Sequence, residues 1–126
     1  MARTTQLVVS LVSKRGVLAQ LTRTLAEARV NIIALSADAV SGRGKIRMVV
    51  NNPAAARRAL RKAKYRVAEE PAYVVRLRNK PGAVARVASR LAKAGVNISS
   101  AYATTAGKSA NAVFTSKSAK ARKVLG

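Results

Sequence analysis

Two stretches of the chain carry the same pattern of apolar and polar positions, and the other residues arrange around them. Residues 14–32 read KRGVLAQLTRTLAEARVNI, and residues 80–98 read KPGAVARVASRLAKAGVNI. In the first, Val17, Leu18, Leu21, Leu25 and Ala28 recur at helical spacing, with Gln20, Arg23 and Glu27 on the other side. Each copy has a glycine turn before the helix and an Asn-Ile pair that starts the next strand. The match extends outward. With residues 7–35 set against 73–101, Val8, Val9, Leu11, Lys14, Gly16, Ala19, Leu25, Ala26, Ala28, Val30, Asn31 and Ile32 recur. A further alignment of residues 44–60 with 109–125 keeps Ala54, Ala56, Arg57 and Leu60. A unit of this length that occurs twice is a duplicated domain, not a solenoid repeat.

The same element order is expected in both copies. Residues 7–12 form an apolar β-branched strand, 13–16 a turn, 17–28 a helix and 32–39 a second strand. A hairpin turn at 41–44 leads to a third strand at 45–50, where Ile46, Met48 and Val50 alternate with Lys45, Arg47 and Val49. Asn52 caps a helix that opens with Pro53 and runs to about residue 63. Residues 65–68 form a short fourth strand, and Glu69-Glu70-Pro71 turns into the second copy. There, strands are expected at 72–77, 98–103 and 110–115, and helices at 83–94 and 119–125. The first repeat, residues 1–70, reads βαββαβ, and the second, residues 71–126, lacks its final strand. A βαββαβ chain forms a ferredoxin-like α+β sandwich, an antiparallel sheet with both helices on one face. Right-handed crossovers give it the strand order 4-1-3-2. The missing strand belongs beside residues 72–77. An open apolar edge there calls for pairing, within the chain or in a homodimer.

Composition narrows the chemistry. About half of the 126 residues are apolar, but with one Phe, three Tyr and no Trp the core must be aliphatic. No Cys and no His are present, which removes thiol chemistry, the commonest general base and the soft metal ligands. The acids are Glu27, Asp38, Glu69 and Glu70, spread so that no catalytic pair or metal cluster is expected. The reading is therefore a non-enzyme with no cofactor. The N-terminal apolar run is too short for a signal peptide, and no run reaches transmembrane length. A cytoplasmic protein without a membrane partner is expected.

Charge adds a second theme. Twenty-five Lys and Arg face four acids, a net charge of +21. Non-specific binding to polyanions and nucleic acids at low salt follows. Tyr73, Tyr102 and Phe114 do not form the paired aromatic pattern with which ferredoxin-like sheets stack RNA bases. Arg57, Arg58, Arg61, Lys62 and Lys64 read as a solvated helix face. Ala106-Gly107-Lys108-Ser109 resembles the end of a phosphate loop, but it joins two strands and reads as a hairpin turn.

The glycine turns carry the remaining chemistry. Gly16 and Gly82 sit where free N–H groups open a helix, which suits a carboxylate. They also suit a tight strand-to-helix turn with no ligand. Asn31 and Asn97 could bond a ligand or close an Asx turn. Asn79-Lys80-Pro81-Gly82-Ala83-Val84 with Ala94-Gly95-Val96-Asn97-Ile98 resembles the ACT domain, a small amino-acid-binding regulatory module. Ser13-Lys14-Arg15-Gly16-Val17-Leu18 with Ala28-Arg29-Val30-Asn31-Ile32 is a looser copy, without the proline and the second glycine. The chain resembles stand-alone tandem ACT proteins. The resemblance implies regulation through a domain or dimer interface, with an amino acid held between one domain's glycine turn and a neighbour's second strand. Carried over, the ligand-binding positions are Ser13, Gly16, Val17, Asn31 and Ile32, and Asn79, Gly82, Ala83, Asn97 and Ile98. Of the two turns, Gly82 is the better preserved and the expected half of any site. The charge departs from the family: Asn51-Asn52-Pro53 stands where Asp-Asp-Pro is expected. Loss of acids around an intact core points to a charge-engineered or acid-depleted variant. A basic nucleic-acid-binding protein is the alternative function.

Overall fold

A computed structural model describes residues 2–125. The elements run β1 (Ala2–Val12), α1 (Val17–Glu27), β2 (Ile32–Val40), β3 (Arg43–Val50), α2 (Pro53–Lys62), β4 (Arg66–Arg78), α3 (Ala83–Lys93), β5 (Ser100–Ala106), β6 (Ser109–Thr115) and α4 (Lys120–Leu125). The strand order is β2-β3-β1-β4-β6-β5. The chain forms two compact units. One is Gln6–Glu69, and the other combines residues 2–5 with residues 70–125. Among the described residues no helix is long and apolar enough to cross a membrane.

Gln6–Glu69 is a complete βαββαβ unit with the expected order β4-β1-β3-β2. Leu7 and Val9 on β1 and Ile46, Met48 and Val50 on β3 meet Leu21 and Leu25 of α1 and Ala56 and Leu60 of α2. Burying each large aliphatic side chain contributes about 1.5–3 kcal/mol. Leu18 and Ala28, expected on this face, are exposed; Leu18 lies in the first turn, above an open groove rather than the packed core. α2 starts as expected: Pro53 is at N1, and Asn52 Oδ1 accepts from the Ala55 N–H at 3.1 Å. Arg57 meets Glu69 at 2.7 Å across the unit's surface, worth at most about 1 kcal/mol at such exposure.

The second unit corrects the sequence reading in two places and fills the edge it left open in a third. Residues 69–71 do not turn: β4 is one strand from Arg66 to Arg78, so the expected fourth strand and the next repeat's first strand are continuous. Acidic residues and a proline suggested a turn, but Pro71 removes one donor without bending an extended chain, and it lies exposed. The missing final strand is present in space, because residues 2–5 at the start of β1 belong to this unit and β1 borders β4. The edge beside residues 72–77 is thus filled within the chain, and Ala72, Tyr73 and Val75 are buried. Finally, β5 begins at Ser100, so Asn97 and Ile98 precede the strand instead of opening it. The core joins Tyr73 and Val75 to Val87, Leu91, Ala112, Phe114, Ala121 and Leu125.

Candidate functional site

Both glycine turns are built the same way. Gly16 (φ 83°) and Gly82 (φ 85°) are the N-caps of α1 and α3, in the left-handed region that glycine enters without strain. Their carbonyls accept the first helical bonds, from Gln20 at 2.9 Å and Arg86 at 3.0 Å. No side chain caps either helix, and a Cβ at either glycine would meet nothing within 4 Å. The Val17 and Ala83 N–H groups turn back to the Lys14 and Lys80 carbonyls at 3.3 Å, which leaves the next donors along each helix uncapped by any side chain.

Each turn is tied to the neighbouring hairpin. The Ser13 N–H donates to the Gly42 carbonyl at 2.8 Å, and the Asn79 N–H to Lys108 at 2.9 Å. Asn79 adds a bond that Ser13 lacks: its Nδ2 donates to the Gly107 carbonyl at 3.0 Å. The amide expected to meet a ligand is thus engaged in holding its own loop.

A groove of about 250 Å³ lies beside the first turn. Leu11, Val17, Leu18 and Ile46 give it apolar walls, Ser13 and Lys14 give it a polar rim, and Gly44 is its most constrained point. A Cβ on Gly44 would stand 2.9 Å from Leu11 Cδ1. Leu11 pairs with Gly44 in the β1–β3 ladder, and Leu77 pairs with Ala110 in the β4–β6 ladder. The second copy therefore carries a buried methyl where the first has none. Asp38 borders the groove through its backbone. Its side chain alternates away from the inward-facing Ile46–Ala37 row, and its carboxylate meets Arg47 at 3.4 Å.

Ser13 and Val17 line the groove and Gly16 lies between them in the turn, but Asn31 and Ile32 are elsewhere. Ile32 pairs with Val50, whereas Val40 and Val12 both pair with Arg43. The strand start and the glycine turn are separated by the length of β2, roughly 25 Å at about 3.3 Å per residue. The same holds for Asn97 and Ile98 relative to Gly82 and Ala83. Asn31 and Asn97 are exposed, with their backbones latched to the end of the third strand. The Asn31 N–H donates to Asn51 Oδ1 at 2.9 Å, and Ser116 Oγ donates to the Asn97 carbonyl at 2.6 Å. Neither unit brings its own turn and strand start together. The sequence reading missed Leu11, Leu18, Gly44 and Ile46. An isolated glycine inside an alternating strand was the available sign of a close approach at Gly44.

The profile of the ACT domain pair matches residues 2–125. The chain belongs to the ACT domain pair family. A protein of Bacteroides thetaiotaomicron is similar in structure, with a TM-score of 0.90 and 30% identity over 98% of this ACT pair and 86% of that chain. The ligand-free regulatory subunit of aspartate kinase from Thermus thermophilus shares the fold at a TM-score of 0.73 and 16% identity, over 98% of this chain and 91% of that one. The corresponding Thermus flavus subunit gives 0.65 and 14%, over 98% and 90%. No curated protein matches the sequence. In fold, the ACT pair resembles these two regulatory subunits.

Proposed function

We propose that this ACT pair is a non-catalytic regulatory module that binds a small amino acid at the glycine turn of its first unit. The groove beside Gly16 carries the proposal: open helix donors and Lys14 suit a carboxylate, and Leu11, Leu18 and Ile46 suit an apolar side chain. For the ammonium group the groove offers the Ser13 hydroxyl and the Asp38 carbonyl, and a further acceptor would come from a neighbouring copy. β2 ends the sheet, and from Ile32 to Val40 it contains no Lys or Arg in a chain rich in both. Antiparallel pairing of two β2 strands in a homodimer would carry Asn31 and Ile32 of one copy toward the glycine turn of the other. Ligand binding would tighten that interface, which is the regulatory output.

A thermal-shift screen of the twenty amino acids, with oligomeric state followed by sedimentation, tests this reading. The expected result is a shift with one or a few small apolar amino acids and a shift of the population toward dimer. Gly44→Ala should keep the fold and abolish the shift, because its methyl meets Leu11. No shift with any amino acid would reject the reading and favour an acid-depleted variant that has lost its ligand.

A further inference from the structure

The two units differ in where their few acids lie. Arg47 meets Asp38 and Arg57 meets Glu69, both within Gln6–Glu69. After Glu70 the sequence contains no acid at all, while Lys and Arg continue to Lys123. On α3 they fall in one line. Arg86, Arg90 and Lys93 border a shallow trough of about 510 Å³ whose floor is Gly82, Ala85 and Ser89. Arg90 is held in place, its Nη2 donating to the Val124 carbonyl of α4 at 2.9 Å. Lys120 adds a cation just past the end of the helix: its Nζ lies 3.8 Å from where a Cβ on Gly95 would stand.

Helix stability does not account for this line. Positive charge suits the last turn of a helix, which covers Arg90 and Lys93. It does not cover Arg86, one turn before Arg90, where like charges repel. No acid offsets it in the first turn.

We infer that the exposed face of α3 is a docking surface for a nucleic-acid duplex, read through its phosphates. From Arg86 to Lys93 the cations span about 10 Å along the axis, matching several phosphates of a duplex that carries a charge every ~1.7 Å. The small residues between them let a phosphate reach the helix surface. The trough holds no aromatic to stack on bases and no large apolar side chain to enter a bilayer, so single strands and membranes fit it less well. Recognition is of backbone, not of sequence.

Fluorescence anisotropy with a short random-sequence DNA duplex, from about 0.05 to 0.3 M KCl, tests this. The triple variant Arg86→Gln, Arg90→Gln, Lys93→Gln is compared with Arg57→Gln, Arg58→Gln, Arg61→Gln, which removes equal charge from α2. The α3 triple should weaken binding at least tenfold and flatten the salt slope by about 2.7, or about 0.9 per phosphate contact. The α2 triple should change affinity less than about threefold, with little change in slope. If loss of the Arg90 bond unfolds the triple, Arg86→Gln with Lys93→Gln should still flatten the slope by about 1.8. Equal losses from the α2 and α3 variants would show attraction to net charge alone and overturn the proposal. Tighter α3-dependent binding to anionic vesicles or polyglutamate than to the duplex would overturn it as well.

Discussion

The first and second glycine turns differ in a way their sequences do not suggest. The second matches the family pattern more closely, yet its extra features secure the loop. Asn79 bonds Gly107, Gly95 closes the helix, and Ala110 occupies the place of Gly44. The first turn has Ser13, Arg29 and Gly44 at those positions, and the groove lies beside it. Agreement with a motif therefore reports how well the loop is built, whereas space for a ligand depends on a strand residue outside the motif. The expectation that Gly82 is the better half of a site gives way to a proposal centred on Gly16.

Five substitutions, grouped in three tests, probe this contrast. The largest effect is expected from Gly16→Ala and Gly82→Ala, measured by urea denaturation. Each forces a side chain into the left-handed region and should cost about 1–2 kcal/mol. Nothing lies within 4 Å of either Cβ, so the two costs should be equal. Unequal costs would show that the turns are not the same structure. Next, Arg29 holds at φ 59° the helix-closing position that Gly95 holds at φ 73°. Arg29→Gly should stabilise the protein by about 1 kcal/mol and Gly95→Ala should destabilise it by a similar amount. A loss of stability in Arg29→Gly would mean that the arginine makes a compensating contact. The smallest effect is expected from Asn79→Ala, about 0.5–1 kcal/mol for one exposed hydrogen bond. If Asn79→Ala instead leaves stability unchanged but removes an amino-acid-induced thermal shift, Asn79 is a ligand residue and the second turn is the site.

Much of the fold was legible because the two copies check each other. The helical spacing of Leu21 and Leu25 recurs at Val87 and Leu91, and Pro53 after Asn52 marks the start of α2 in sequence as in structure. The alignment of the copies is legible only in part. β6 follows the frame that pairs Gly44 with Ala110, while Ala56 and Leu60 of α2 correspond to Ala121 and Leu125 of α4 in a frame one residue shorter. The loss falls in the loop before α4, where Ser116 Oγ donates to the Asn97 carbonyl, whereas Asn51 Oδ1 accepts from the Asn31 N–H. The start of β1 was not legible. Arg3, Thr4 and Thr5 have no apolar alternation, and what makes them a strand is a partner more than sixty residues away. The separation of Asn31 from Gly16 follows from topology, because β1 and β2 run parallel and their starts lie at the same end.

Residues 2–5 have a consequence for synthesis. The unit Gln6–Glu69 is contiguous, so once those residues have emerged it holds all of its strands and can fold. The other unit joins residues 2–5 to residues 70–125. Residues 2–5 are translated well before β4, the strand beside them, and the sheet is complete only when β6 and β5 have followed. Contacts of such sequence separation form slowly. Until then β4 presents an unpaired edge that another nascent chain could use. Fusing a bulky tag before residue 2 should therefore impair folding of the unit built from residues 2–5 and 70–125, while Gln6–Glu69 folds normally.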